Sequence, residues 1–261
     1  MVNQQGAPGA AHFVLQGKGG VGKSLVAATL MQYLRARLGA GHVAGADSDP
    51  ANQTPAGYEA LGVRHLPILR EGTSRVDEGR FDELISWMVE NPAAFVVDTG
   101  ATSFLPFSNY LLENDILDLL RAQGRTVRIH TVITGGQSLL DTIDGFANLA
   151  DSLPPQSMVV WLNEYFGPIQ SRDGRGFHDS KAYLDRRDKI LGLVHWSQRN
   201  PDTFGRDMRD LLQRRLTFAE GIASEAFSIV SRQRFKIVSD EIFSQLDAIT
   251  ALSTAPVLAA A

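Results

Sequence analysis

The run Gly17-Lys18-Gly19-Gly20-Val21-Gly22-Lys23-Ser24 combines four glycines, two lysines and a hydroxyl, and its spacing suits one chemistry above others. A glycine, four residues and then Gly-Lys-Ser is the pattern of a loop that wraps phosphate groups. Residues without a Cβ let consecutive backbone N–H groups turn inward, and a helix starting near Lys23 aims its positive end at the same point. Lys23 is placed to reach β- and γ-phosphate oxygens, and the Ser24 hydroxyl to ligate Mg²⁺, a hard cation that selects oxygen. Leu25 completes the set of residues expected along the phosphates. Lys18 is an additional lysine that phosphate binding alone does not require.

Metal-assisted phosphoryl transfer also needs carboxylates at the C-terminal ends of neighbouring strands, where open α/β sheets bind ligands. Asp47 and Asp49 follow the apolar stretch HVAGA in Asp47-Ser48-Asp49-Pro50, and Asp98 ends Phe95-Val96-Val97-Asp98. Capping of turns after strands is the plainer role open to all three. Asn163 ends Val159-Val160-Trp161-Leu162 and carries an amide that can both donate to and accept from a base edge. Glu164 stands where the Asn-Lys-x-Asp signature of guanine readers has lysine, which favours ATP over GTP.

Short apolar runs alternate with longer helical patterns along the whole chain. Strands are predicted over 12–16, 42–46, 93–98, 125–133, 157–163 and 189–195, and helices over 24–38, 80–90, 105–121, 137–152, 181–187, 202–215 and 230–252. AFVVD and VVWLN are apolar throughout, as strands covered on both faces must be. The expected fold is an α/β P-loop NTPase with a mostly parallel twisted sheet and helices on both faces. Residues 11–252 read as a single P-loop ATPase domain, with a flexible start at 1–10 and a flexible tail at 253–261.

Composition narrows the chemistry. The 261 residues contain no cysteine, which removes disulfides, thiolate zinc sites, cysteine-held iron–sulfur clusters and a cysteine nucleophile. The net charge of −4 excludes gripping nucleic acid or anionic lipid by bulk charge. Lysine is scarce, 5 of the 25 basic residues, which makes Lys18 and Lys23 conspicuous. Residues 172–234 hold 13 Lys+Arg against 9 Asp+Glu. Arg172, Arg175, Arg186, Arg187, Arg214 and Arg215 could form a DNA patch there, but the interleaved Asp173, Asp185, Asp188 and Asp210 favour a salt-bridged surface. The six histidines show no ligand spacing. No secretory start and no apolar run of spanning length is present, so the chain is expected in the cytoplasm, at most peripheral to the inner membrane.

Lys18-Gly19-Gly20-Val21-Gly22-Lys23-Ser24 resembles the deviant Walker A motif of the ParA/MinD-like partition and division-site ATPases. The resemblance implies that Lys18 reaches across a nucleotide-sandwiched homodimer to the other subunit's phosphates, that Asp47 belongs to the Mg²⁺ water shell and that Asp49 orients or activates the attacking water. It also implies that Asp98 holds the metal through water and that Asn163 contacts adenine. Ala51 and Asn52 follow Pro50 where many partition ATPases carry Gln, a departure within the first switch. The iron-protein and arsenite-pump branches of the group depend on cysteines absent here.

A narrower resemblance, over roughly residues 12–250, is to the TraL nucleotide-binding proteins of conjugative plasmid transfer. Its blocks are FVLQGKGGVGKS, GYEALGV from Gly57, DTGATSFLPFSNYLL from Asp98, HTVITGGQSLLDT from His130, VVWLNEYFGPI from Val159 and LLQRRLTF from Leu211. This implies an ATPase switch in conjugation with a partner in the transfer or secretion apparatus. A DNA-partition ATPase and a nucleotide-bound channel scaffold with little hydrolysis are the alternatives. Phe104, Leu105, Pro106 and Phe107 after Asp98 read either as exposed aromatics that signal to a partner or as core. Phe235, Val238, Ile242, Leu246 and Ile249 fit a packed terminal helix better than a membrane-targeting one, because their flanking charges are mixed.

Overall fold

A computed structural model of the chain describes residues 8–49, 54–73, 75–171 and 173–249. The expected features at 1–7, 50–53, 172 and 250–261, including Pro50, Ala51, Asn52, Arg172 and the tail, lie outside these residues. Seven strands, β1 (Ala11–Val14), β2 (Val43–Asp47), β3 (Arg64–His65), β4 (Ala94–Asp98), β5 (Val127–Thr134), β6 (Met158–Asn163) and β7 (Ile190–Trp196), form one sheet. Their order is β3-β2-β4-β1-β5-β6-β7 and every pairing is parallel. Six strands fall where the apolar runs predict them. The two-residue β3 has too little pattern to be read from sequence.

Alternation along the strands feeds two cores. Phe13, Phe95, Ile129 and Val160 pack on the face covered by α2 (Gly79–Glu90), α3 (Ala101–Glu113), α4 (Ile116–Ala122), α5 (Leu139–Asp151) and α6 (Lys181–Arg186). Val14, Val96, Val132 and Val159 pack on the other face under α1 (Lys23–Leu38) and α9 (Ile229–Ala248). A third cluster joins α9 to α7 (Arg206–Gln213) and α8 (Phe218–Ala223). Phe235, Val238, Ile242, Leu246 and Ile249 are buried, so α9 is a packed helix. No helix among the described residues is long and apolar enough to cross a membrane.

Two differences from the sequence reading have local causes. The single helix expected over 105–121 is two, because Asp115 takes a left-handed conformation (φ 49°) between α3 and α4. α8 has no counterpart among the predicted helices, although Thr217 and Glu220 form a reciprocal capping box at its start.

A polar chain crosses the core beneath α1. His12 Nδ1 lies 2.9 Å from His130 Nε2, and the Trp161 indole N–H donates to His130 Nδ1 at 3.0 Å. Burial holds His12 down at about 3, with Arg128 adding to the effect, and keeps His130 well below its ordinary value. Both rings are therefore neutral at physiological pH.

Candidate functional site

β1 delivers the glycine loop to the C-terminal edge of the sheet, and α1 begins at Lys23. Gly20 (φ 75°) and Gly22 (φ 105°) occupy the left-handed region, where a side chain would strain the backbone. Lys23 is 6% exposed and its Nζ donates to the Lys18 carbonyl at 2.9 Å. Burial lowers the Lys23 pKa, and the neighbouring carboxyl groups of Asp98 and Asp49 oppose that effect. One hollow is lined by Gly20, Gly22, Lys23, Ser24, Asp49 and Thr54, which brings the loop and the first acidic segment together.

The register of β2 on β4 sets Asp47 opposite Asp98. Ser48 fastens the two strand ends together, its N–H and hydroxyl both donating to the Asp98 carbonyl at 3.0 and 3.1 Å. Asp47 is buried and accepts from the N–H of Asp49 (3.0 Å) and of Ala56 (3.3 Å). Burial raises its pKa against those two bonds. Asp49 packs on Gly100, where a Cβ would stand 2.6 Å from its Cγ. Asp98 is 1% exposed, and a hydrogen bond from the Ser24 hydroxyl is the contact that favours its ionised form. Its pKa rises to about 8, chiefly through burial, with the nearby Ser24 hydroxyl the largest opposing influence.

Buried carboxylates are normally paired or metal-bound. A buried Asp98 whose hydrogen-bonding neighbour is Ser24, with Asp47 alongside, therefore fits a hard cation with its water shell, which takes oxygen donors alone.

Asn163 lies against the loop in a way the sequence did not suggest. Its Nδ2 donates to the Val21 carbonyl at 2.9 Å and its Oδ1 accepts from the Tyr165 N–H at 3.1 Å. The amide is committed to the loop and to its own turn, so reading a base with it requires one of these bonds to be exchanged. A second hollow adjoins that turn, lined by Tyr165, Trp196, Arg199, Phe204 and Met208. The Gln198 N–H, donating to Glu164 at 3.1 Å, ties the β7 loop to the β6 loop there. Nothing in the local sequence around Trp196 signals that it lines a hollow.

Lys18 projects to the other side of the loop, where its Nζ meets Asp141 Oδ2 at 2.7 Å. Both side chains are about half exposed (42% and 55%), so the pair is worth about 1 kcal/mol or less. Gln16 anchors the base of the loop, its Nε2 donating to the carbonyls of Val132 (3.0 Å) and Thr142 (3.1 Å). Gly145 makes room for it, since a Cβ there would stand 2.2 Å from Gln16 Oε1. A glycine inside a helical pattern was the available signal for that close approach.

Two expectations resolve toward packing. Phe104 and Phe107 are buried in the core, and the exposed large apolar side chains of α3 are Leu105 and Leu112, so the helix does not present aromatics to solvent. Arg175, Arg186 and Arg214 pair with Asp173, Asp151 and Asp210, as a salt-bridged surface would.

Comparison with known proteins agrees with this geometry. Residues 12–211 match the family described as the CobQ/CobB/MinD/ParA nucleotide binding domain. A protein named TraL from Escherichia coli is 43% identical over 243 residues, spanning 92% of this chain and 98% of its own. A second Escherichia coli TraL is 43% identical over 238 residues, spanning 90% and 96%. The fold is similar to the MinD cell division protein of Aquifex aeolicus (TM-score 0.50, 14% identity, 93% of this chain and 97% of that one). It is also similar to the septum site-determining protein MinD of Pyrococcus horikoshii OT3 complexed with Mg-ADP (TM-score 0.50, 16% identity, 92% and 98%).

Proposed function

The chain belongs to the CobQ/CobB/MinD/ParA nucleotide-binding domain family and, at 43% identity across most of its length, to the TraL proteins, and from that premise we propose that it is a Mg²⁺-dependent ATPase acting as a switch in conjugative plasmid transfer. The observation that carries this reading is the buried Asp98 carboxylate held against Ser24 and Lys23 of the glycine loop, with Asp47 alongside. Ser24, Asp47 and Asp98 would hold Mg²⁺, which when bound neutralises charge on the phosphoryl oxygens.

The residues then divide the work. Gly17, Gly19, Gly20, Val21 and Gly22 supply the turning backbone whose N–H groups face the phosphates. Lys23 exchanges the Lys18 carbonyl for a phosphate oxygen, a better acceptor for an ammonium group. Asp49, at the edge of the same hollow, orients the attacking water and takes its proton at the carboxylate. Lys18 leaves Asp141 at small cost and reaches the phosphates held by a second copy of the chain, supplying positive charge as the bond breaks. The aromatic hollow at Tyr165, Trp196 and Phe204 suits the base, with Asn163 holding the loop beside it. A partner in the conjugation or secretion apparatus belongs to the same reading, as the resemblance to the TraL proteins implies.

Equilibrium binding of a fluorescent ATP analogue tests this assignment. Lys23→Ala is expected to weaken binding about a hundredfold, the loss of a charged hydrogen bond to phosphate. Unchanged affinity would end the proposal. In the same assay Lys18→Ala should bind normally but remain monomeric by light scattering with ATP, and dimers formed as readily as by the parent protein would remove its role in trans.

A further inference from the structure

Two of the distinctive sequence blocks, GYEALGV from Gly57 and LLQRRLTF from Leu211, are far apart in the chain yet meet in the fold. Arg215 follows α7 in the left-handed region (φ 54°), where the helix closes through Arg215 N–H to Leu212 O and Leu216 N–H to Leu211 O. Glycine is the unstrained residue for that position. Arginine there costs conformational energy, and a strained residue invites a question about what its side chain does.

The side chain crosses to the turn Pro55–Gly57. Its guanidinium lies on Gly57 so closely that a Cβ would stand 2.0 Å from Nη1 and 2.6 Å from Cζ. Tyr58, the next residue, is 2% exposed and packed in the core under α1, with the Arg215 charge close enough to act on its phenol. The turn is closed by Gly57 N–H to Thr54 O at 3.2 Å and Tyr58 N–H to Pro55 O at 3.1 Å. Within it, the Ala56 N–H donates to Asp47 Oδ2.

We propose that Arg215 is a positioning residue for Asp47, clamping from the end of α7 the turn whose Ala56 N–H orients that carboxylate. Through this contact the module of α7, α8 and α9 is mechanically joined to the acid assigned to the metal's water shell. The inference rests on the Asp47 assignment above, and it makes any event on the C-terminal module able to alter the Mg²⁺ requirement.

Arg215→Gly separates this role from simple helix termination, because glycine ends α7 with less strain and leaves the fold at least as stable. The expected result is a melting temperature equal to or above that of the parent. Amide exchange at Ala56 should be about fivefold faster without nucleotide, and about fivefold more Mg²⁺ should be needed for half-maximal binding of a fluorescent ATP analogue, as for one lost hydrogen bond. Gly57→Ala, which displaces the guanidinium, should match it, and the double variant should be no worse than either single one. Parental Ala56 exchange in Arg215→Gly overturns the clamp. An unshifted Mg²⁺ requirement in Asp47→Asn overturns instead the metal assignment beneath it.

Discussion

Asp98→Asn should stabilise the protein at neutral and alkaline pH while lowering Mg²⁺-dependent ATP turnover about a thousandfold, the size of effect expected when several kcal/mol of metal-derived charge stabilisation is lost. The two effects have one origin. A carboxylate at 1% exposure pays for its burial in the folded state, the Ser24 hydroxyl offsetting only part of the desolvation, and its pKa rises from 3.8 to about 8. A raised carboxylate pKa means that the folded state holds a proton that the unfolded chain has released. Stability from this group is therefore complete below pH 3.8 and is lost as pH climbs toward 8. The full loss is on the order of 5 kcal/mol. Asn cannot ionise and escapes it.

The buried histidines tilt the curve the other way. His12, held at about 3, gives stability that is complete above its unfolded value of 6.5 and is lost as pH falls. Asp98 and His12 thus oppose each other between 3.8 and 6.5, and of the two only Asp98 changes stability between 6.5 and 8. Urea denaturation over that upper window should show the parent losing roughly 2 kcal/mol while Asp98→Asn stays flat. Equal slopes for the two proteins would show that Asp98 ionises without penalty, and the case for a cation beside it would fall. Loading the parent with Mg²⁺ and nucleotide should also flatten its curve, because a bound cation favours the ionised carboxylate.

The phosphate loop was legible because its residues are neighbours in sequence and their spacing encodes the geometry directly. The acids were legible for a related reason, each ending an apolar run in a parallel sheet whose strand ends face one edge. Their partners were not. Asp47 and Asp98 stand side by side only because β4 inserts between β2 and β1, an order that no local pattern specifies. Asn163 could be placed at the end of β6, but the Val21 carbonyl that consumes its amide is 142 residues away. Phe104 and Phe107 were ambiguous until burial, and for Phe107 ring contacts with Phe13 and Phe81, placed them in the core. Gln16 with Gly145, and Arg215 with Gly57, are likewise long-range fits between a side chain and a missing one. Such fits leave a glycine in the sequence and nothing that names its partner.

The strand ends opposite the site depend on a residue that belongs to no motif. Arg125 is 2% exposed, and no ion pair to it is found among the described residues. Its guanidinium donates instead to four carbonyls, Gly9 O at 2.7 Å, Ala93 O at 2.8 Å, and those of Met88 and Asn91. Met88 and Asn91 lie at the C-terminal end of α2, where partial negative charge collects, and Gly9 and Ala93 lead into β1 and β4. Burial lowers the Arg125 pKa to about 10, so the group remains charged at neutral pH. The face of Phe95, 5.2 Å from the guanidinium carbon, adds a further favourable contact.

Arg125→Met keeps much of the apolar volume but leaves four acceptors without their donor. At about 1 kcal/mol or more for each acceptor stranded away from water, the expected cost is at least 4 kcal/mol. That is a large part of the 5–15 kcal/mol that holds a typical domain together, so most of the variant should be insoluble or unfolded at 37 °C. Arg125→Lys should fall between, since a single ammonium has three donors and lacks the planar fork. Urea denaturation of the soluble fraction measures both, and a loss under 1 kcal/mol for Arg125→Met would show that water replaces the guanidinium freely. Saturating ATP and Mg²⁺ should recover part of the loss. Ligand binding to the folded state alone adds about 2.7 kcal/mol at a hundred times the dissociation constant, and β1 and β4 are the two strands that carry the phosphate loop and Asp98 from Arg125 to the site.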